Sequence, residues 1–408
     1  MSDEQDSAYQ KELEPAHGPR TDADVLIVGG SLANCLSALW LTENRPNTLI
    51  GLVDAAPKLL AGRQWLFFDC SVPRAQYRGL RPYISKRWNS YQLCAGGAGP
   101  ISGSLAMSLI DGDRMRAALE AAPRIEVLER GHVTAVANDA VELGGEDLVS
   151  APLVLDGRPV RNHRSMLLQQ AHVCTFEISC ATPHGVDVPV LMHFDADEQD
   201  QPSYLQILPT NGTSLMVDVV RLSEEQQPDA EAAKASILRY GLRAGIAVSD
   251  VRLVRQWSEP FLTGLQAQMF AKFAKRKAVP TGQAALLSHP TTLSPVVAAA
   301  ELAAAISQLE DISTEAAMPI VAEMMQRYHG QYEYFYQLNQ TILEPGSPQF
   351  AMELYEHLHG LPESLIERFY RGDCRSRDRL RISMVRTGHS LVKAGIAFSK
   401  LGAVKRTP

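Results

Sequence analysis

The chain has 408 residues, 45% of them hydrophobic, and 28 glycines, enough to bury the cores of two closely joined domains. A net charge of -7 and a pI near 5.9 exclude the basic surplus with which a nucleic-acid protein meets phosphate. The charge is uneven, because after residue 370 many Arg and Lys side chains face only Asp373 and Asp378.

Residues 1–21 are polar and acidic and read as a disordered leader without a signal peptide, so a cytoplasmic protein is expected. Residues 22–54 read as one βαβ unit: the apolar run Val25-Leu26-Ile27-Val28, a turn at Gly29-Gly30-Ser31, a helix from Leu32 to about Glu43, and a second apolar run ending in Asp54. A loop is expected to about residue 103, a helix over 114–121, and short strands over 124–156 that return to a parallel sheet. From 172 to 222 the β-rich runs lengthen and alternate, as an antiparallel sheet roofing a cavity would. Helical patterns follow at 229–242, 296–309, 313–336 and 362–369. The longest apolar candidate, 295–309, carries Glu301 and Gln308 and does not read as a membrane span. The six cysteines lack metal-ligand spacing, so no metal site is expected.

The expected fold is therefore α/β. A Rossmann-like dinucleotide-binding domain (22–157, completed by 281–311) carries an inserted, mainly antiparallel β-sheet substrate domain (158–280) and a helical C-terminal region with a basic tail (312–408).

A pyrophosphate needs small residues and a helix N-terminus after the first strand, and Gly29-Gly30-Ser31 provide both. Asp54 ends the second strand, where an acid accepts hydrogen bonds from ribose hydroxyls. The glycine pattern is incomplete, with Ser31 in the second position and Asn34 in the third. The β-rich stretch closing in Leu155-Asp156-Gly157-Arg158 and the later segment 282–292 favour FAD over NAD, since a two-domain flavoprotein leaves its nucleotide domain and returns to close over the flavin.

Further motifs recur along the chain: VGGSLAN at 28–34, RQWLFFD at 63–69, LDGR at 155–158, PVLM at 189–192, ILP at 207–209 with LMVDVV at 215–220, SHPTT at 288–292, FYQLN at 335–339 and LPESLIERFYRG at 361–372. In this order they resemble the VGGGLAN, HTWSFHD, IDGRG, LLP with LLIEDT, FHPTTGYSLP, FYRLLN and LPEPLIERFYAG motifs of the bacterial lycopene β-cyclases, over residues 22 to about 382. The departures are Ser31, the loss of both histidines around Trp65 and Phe67, Val219-Val220 for an Asp-Thr pair, and Leu293-Ser294 for Gly-Tyr.

The resemblance implies a flavin-dependent, non-redox cyclase of a linear isoprenoid or polyene, with reduced FAD as cofactor. It puts Gly29, Gly30, Ser31, Leu32, Ala33, Asn34, Asp54, Asp156, Gly157, His289, Pro290, Thr291 and Thr292 at the cofactor and Trp65, Phe67 and Tyr336 at the substrate cavity. It also puts Asp218 where the family has its essential glutamate, against the reading of a strand acid paired with an arginine. His289 reads equally as a fixer of its loop, and the aromatics around Tyr336 as core. An apolar substrate implies a membrane surface as partner, which the basic amphipathic stretch 377–400 suits as an interfacial helix on the inner membrane face, or else as a solvated helix. NAD(P)H or another reductant is implied for the flavin. An FAD-dependent oxidoreductase acting on a hydrophobic substrate, and a non-catalytic flavoprotein, stand as alternatives.

Overall fold

The computed structural model describes residues 23–94, 99–145, 147–158, 166–194, 203–223, 229–265, 276–343 and 348–384. The expected leader and most of the basic stretch 377–400 lie outside the described residues.

Val25–Val28 is wholly buried and forms the middle of a five-stranded parallel sheet. The order is Val279–Pro280, Leu153–Asp156, Val25–Val28, Ile50–Asp54, Ile125–Glu129. Continuous apolar runs suit strands covered on both faces. The crossover helix Leu32–Asn44 buries every residue from Leu32 to Leu41 and packs on the Ala-rich helix Val296–Ser307, whose small side chains let the two axes approach. A three-stranded antiparallel sheet (Val133–Val136, Ala140–Leu143, Asp147–Ser150) caps the other side.

The roof is a seven-stranded sheet in the order Val248–Leu265, Met166–Cys180, Ser214–Ser223, Ser203–Asn211, Val190–His193, Tyr91–Cys94, Ile101–Gly103. One face packs Cys174, Phe176, Ile178, Leu205, Ile207, Leu215, Val217 and Val219 against Ala233 and Ile237 of the helix Ala230–Ala244. Alternation turns Val173, Thr175, Tyr204, Asp218 and Leu222 to the opposite face, toward the nucleotide domain.

The loop expected before residue 103 is corrected by this structure. It contains the strands Gln64–Phe68, Ile84–Trp88, Tyr91–Cys94 and Ile101–Gly103. The first and second join Met107–Asp111 in a small antiparallel sheet, and the other two extend the roof. Ile-Ser-Lys-Arg-Trp has no apolar alternation, so its strand character comes from pairing with partners distant in sequence. The substrate sheet is for the same reason not confined to 158–280. The helix Pro348–His359 also escaped the periodicity reading, whereas Ser376–Ser383 is helical where the stretch 377–400 is expected to begin one. Among the described residues, no helix is long and apolar enough to cross a membrane.

Candidate functional site: a dinucleotide turn beneath a charged roof

Gly29 has φ +88°, and a Cβ there would lie 3.3 Å from the Gly157 backbone, so two strand ends meet where only glycine fits. Ser31 caps the helix, its hydroxyl accepting from the Asn34 N–H at 3.2 Å. The Asn34 side chain occupies the room that a third glycine leaves elsewhere. Its Nδ2 donates to the carbonyls of Val28 (3.1 Å) and Gly29 (2.7 Å), and its Oδ1 accepts from the Thr281 hydroxyl at 2.6 Å. Gly157 is obligatory because a Cβ would lie 2.4 Å from Asn34 Nδ2. At Gly282, with φ +51°, a Cβ would lie 2.9 Å from Ser31 Oγ. Leu32 and Ala33 are buried in the first helical turn.

Asp54 accepts from the Gly30 N–H and, at 2.7 Å, from the Ala56 N–H, which fixes its carboxylate at the turn. Asp156 is committed elsewhere: Arg158 Nε and Nη2 hold its two oxygens at 2.9 and 3.0 Å.

Four charged side chains converge above this turn. Asp218 lies on the inner face of the roof, its Oδ1 accepting from the Thr175 hydroxyl at 2.6 Å. Burial pushes its carboxyl above the usual carboxylate range, against the Thr175 hydrogen bond and the Arg255 charge, which pull it down. Glu259 is buried and raised for the same reason, while Gln283 Nε2 (3.3 Å), Ser288 Oγ (3.4 Å) and the charges of Arg63 and Arg255 oppose the rise. Arg255 lies over the Trp257 ring at 5.0 Å. Arg63 Nη1 is 3.5 Å from the Gly30 carbonyl, so the altered motif around Trp65 brings a cation to the dinucleotide turn. Among the described residues, neither arginine comes within ion-pair distance of Asp218 or Glu259. Arg255, Glu259, Thr281 and Gln283 escaped the sequence reading. The available signal was charge and an aromatic at alternate positions of a long strand, 255, 257 and 259.

Beside these groups lies a small apolar cavity lined by Phe194, Tyr204, Phe261, Thr291, Leu293 and Tyr355, among others. Thr291 and Thr292 direct buried hydroxyls that find no partner among the described residues. His289 holds their loop: its Nδ1 accepts from the N–H groups of Thr291 and Thr292 at 3.2 Å, and Nε2 donates to the Phe369 carbonyl at 2.9 Å. Burial lowers His289 to about 4, so it is a neutral imidazole. Asn339 Nδ2 donates to the carbonyl of Pro290 at 3.0 Å, and Arg371 to those of Cys70 (2.7 Å) and Ser71 (3.2 Å). Motifs separated by hundreds of residues thus lock into one floor.

Trp65, Phe67 and Tyr336 are not among the residues lining this cavity. Leu66 packs with Trp88, Leu208 and Met216 beneath the roof, so alternation turns Trp65 and Phe67 to the other face. Phe67 stacks on Tyr77, and Tyr336 is a core residue bonded to His329 at 3.1 Å.

A tight glycine turn, a capped helix N-terminus, the fixed Asp54 carboxylate and the two threonine hydroxyls without a partner among the described residues together fit a dinucleotide. The fold is shared with solved structures that include FAD-dependent enzymes. A geranylgeranyl bacteriochlorophyll reductase-like protein from Thermoplasma acidophilum is 13% identical, with 94% of this chain and 99% of that one covered at a TM-score of 0.58. A myxobacterial FAD-dependent halogenase of chondrochloren is 14% identical, with coverage of 89% and 96% and a TM-score of 0.54. In sequence, the chain is 26% identical to a lycopene beta-cyclase of Pantoea ananas over 88% of this chain and 93% of that one, and 25% identical to that of Pseudescherichia vulneris over 92% and 96%. A family profile described as lycopene cyclase protein matches residues 24–395. The chain belongs to the lycopene cyclase family.

Proposed function

We propose that the protein is an FAD-dependent cyclase that closes a ring at the end of a linear carotenoid or related polyene without net redox change. The observation that carries this reading is Asp218, a carboxyl raised by burial on the same roof face as Tyr204 and Leu222, which line the apolar, aromatic cavity.

Asp218 delivers a proton to a terminal double bond. The resulting cation is captured by the neighbouring alkene, and loss of a proton from the ring restores the acid, so atoms and electrons balance. Tyr204, Phe194, Phe261 and Tyr355 exclude water and offer π faces to the positive charge. Gly29, Gly30 and Ser31 would hold the FAD pyrophosphate, Asp54 a ribose, and Thr291 and Thr292 the flavin end. Bound in reduced form, FAD would supply negative charge beside the developing cation. NAD(P)H or another reductant keeps it reduced, and the polyene comes from a membrane surface that the basic C-terminal stretch meets.

The test incubates chemically reduced holoprotein with lycopene under anaerobic conditions and follows products by mass spectrometry. Isomers of unchanged mass are expected, and Asp218→Asn retains FAD but makes none. Products that gain oxygen or lose hydrogen would sink this reading in favour of an FAD oxidoreductase, as would full turnover by Asp218→Asn.

A further inference from the structure

The roof places a buried carboxyl, Glu259, a half-buried one, Asp218, and one arginine on the same face. Thr175, on the central strand, stands opposite Asp218 on one side and opposite Arg255 on the other. Glu259 follows Arg255 by four residues on the same strand, with Trp257 between them supporting the guanidinium. A cation one strand away from an acid works against its protonated form. Yet Arg255 makes no ion pair with Asp218 among the described residues, and Asp218 is met instead by the Thr175 hydroxyl.

We propose that Glu259 is a positioning residue for the acid: anchored by Gln283 and Ser288, it draws the charge of Arg255 away from Asp218 and so keeps Asp218 able to hold its proton. This rests on the proposed role of Asp218. Glu259 is tethered from outside the roof, by side chains of the segment that returns to the nucleotide domain, so its negative charge is held on the strand that carries Arg255, on the side away from Asp218's partner Thr175. Arg63, arriving from the small sheet, faces both Glu259 and Arg255 and repels Arg255. Burial and the Arg63 charge bring the Arg255 guanidinium down to about 10, while Glu259 and Asp218 pull it up. The groups facing Asp218 are Thr175 on one neighbouring strand, Gln206 and Tyr204 on the other, and Arg255 beyond Thr175.

The experiment follows the carbonyl stretch of protonated Asp218 against pH by infrared difference spectroscopy on FAD-bound, substrate-free protein, with Asp218→Asn identifying the band. In Glu259→Gln the midpoint moves to lower pH, because Arg255 is left to Asp218 alone. In Arg255→Met it moves to higher pH. In the double variant it matches Arg255→Met, because Glu259 acts through Arg255. Glu259→Asp, one methylene shorter, moves it in the same direction as Glu259→Gln and serves if that variant does not fold.

At a fixed pH near the midpoints, the ratio of protonated to ionised Asp218 in Glu259→Gln is expected to fall roughly tenfold. An unmoved midpoint in both Glu259 variants overturns the proposal, and so does a Glu259 effect that persists without Arg255. Since no turnover is measured, this outcome is separate from whether Asp218 is the catalytic acid, which Asp218→Asn decides with substrate.

Discussion

Asn34 and Thr281 are joined by a 2.6 Å hydrogen bond across 247 residues of chain. The bond ties the first helical turn of the nucleotide domain to the segment that returns to it. Truncation to Ala leaves the Thr281 hydroxyl and the Gly29 carbonyl short of partners in a buried site, which costs about 2–4 kcal/mol. Asn34→Ala is therefore expected to lower the denaturation midpoint and weaken FAD retention together. An unchanged midpoint would mean that water replaces the side chain.

Gly372 has φ +77°, and a Cβ there would lie 3.0 Å from Tyr332 Cε1 and 3.5 Å from His289 Cδ2. Gly372→Ala combines backbone strain with a tight contact under the His289 loop, for a loss of about 1–3 kcal/mol. Urea denaturation measures it, and a neutral effect would show that the ring of Tyr332 gives way.

In the proposed reaction Asp218 acts protonated, so turnover is expected below its folded pKa and is lost as pH rises through it. Burial raises that value, which moves the alkaline limb above the ordinary carboxylate range. Asp218→Asn is expected to lose about 10²–10⁴-fold in turnover, whereas Asp218→Glu keeps a descending limb. A pH-independent rate in the native chain would argue against general acid catalysis by this group.

Three buried histidines resist protonation: His289 and His329 are lowered by burial to about 4 and His359 to about 3. The unfolded chain takes up these protons near pH 6.5 and the folded chain does not, so their contribution to stability is full above pH 6.5 and falls as pH drops toward 4. Each contributes about 1.4 kcal/mol per pH unit across that window. Asp218 and Glu259, raised by burial, act in the opposite sense. Denaturation curves at pH 7 and pH 5 should therefore show the loss, and show it larger in Glu259→Gln. Equal stability at both pH values would contradict the neutral assignments.

The βαβ unit, its turn, Asp54 and the family motifs were legible from the residues alone, because a fully buried strand and a phosphate turn need an apolar run and small residues next to each other in the chain. The helices at 230–244, 296–307 and 314–342 were legible for the same local reason, their apolar period. The strands between 64 and 103 were not, since Gln92 pairs with Val190 and Ile84 with Ile110, and such pairing leaves no local mark.

Asp218 was readable as a candidate through its motif, but its chemistry was not. Tertiary structure alone put Thr175 against it, Arg255 across the next strand, and Glu259 under the control of Gln283 and Ser288. It also turned Trp65 and Phe67 to the face opposite Leu66. Residue identity determined which groups can carry charge or make a turn. Long-range strand pairing decided which of them meet, because register, not composition, sets the face on which a side chain emerges.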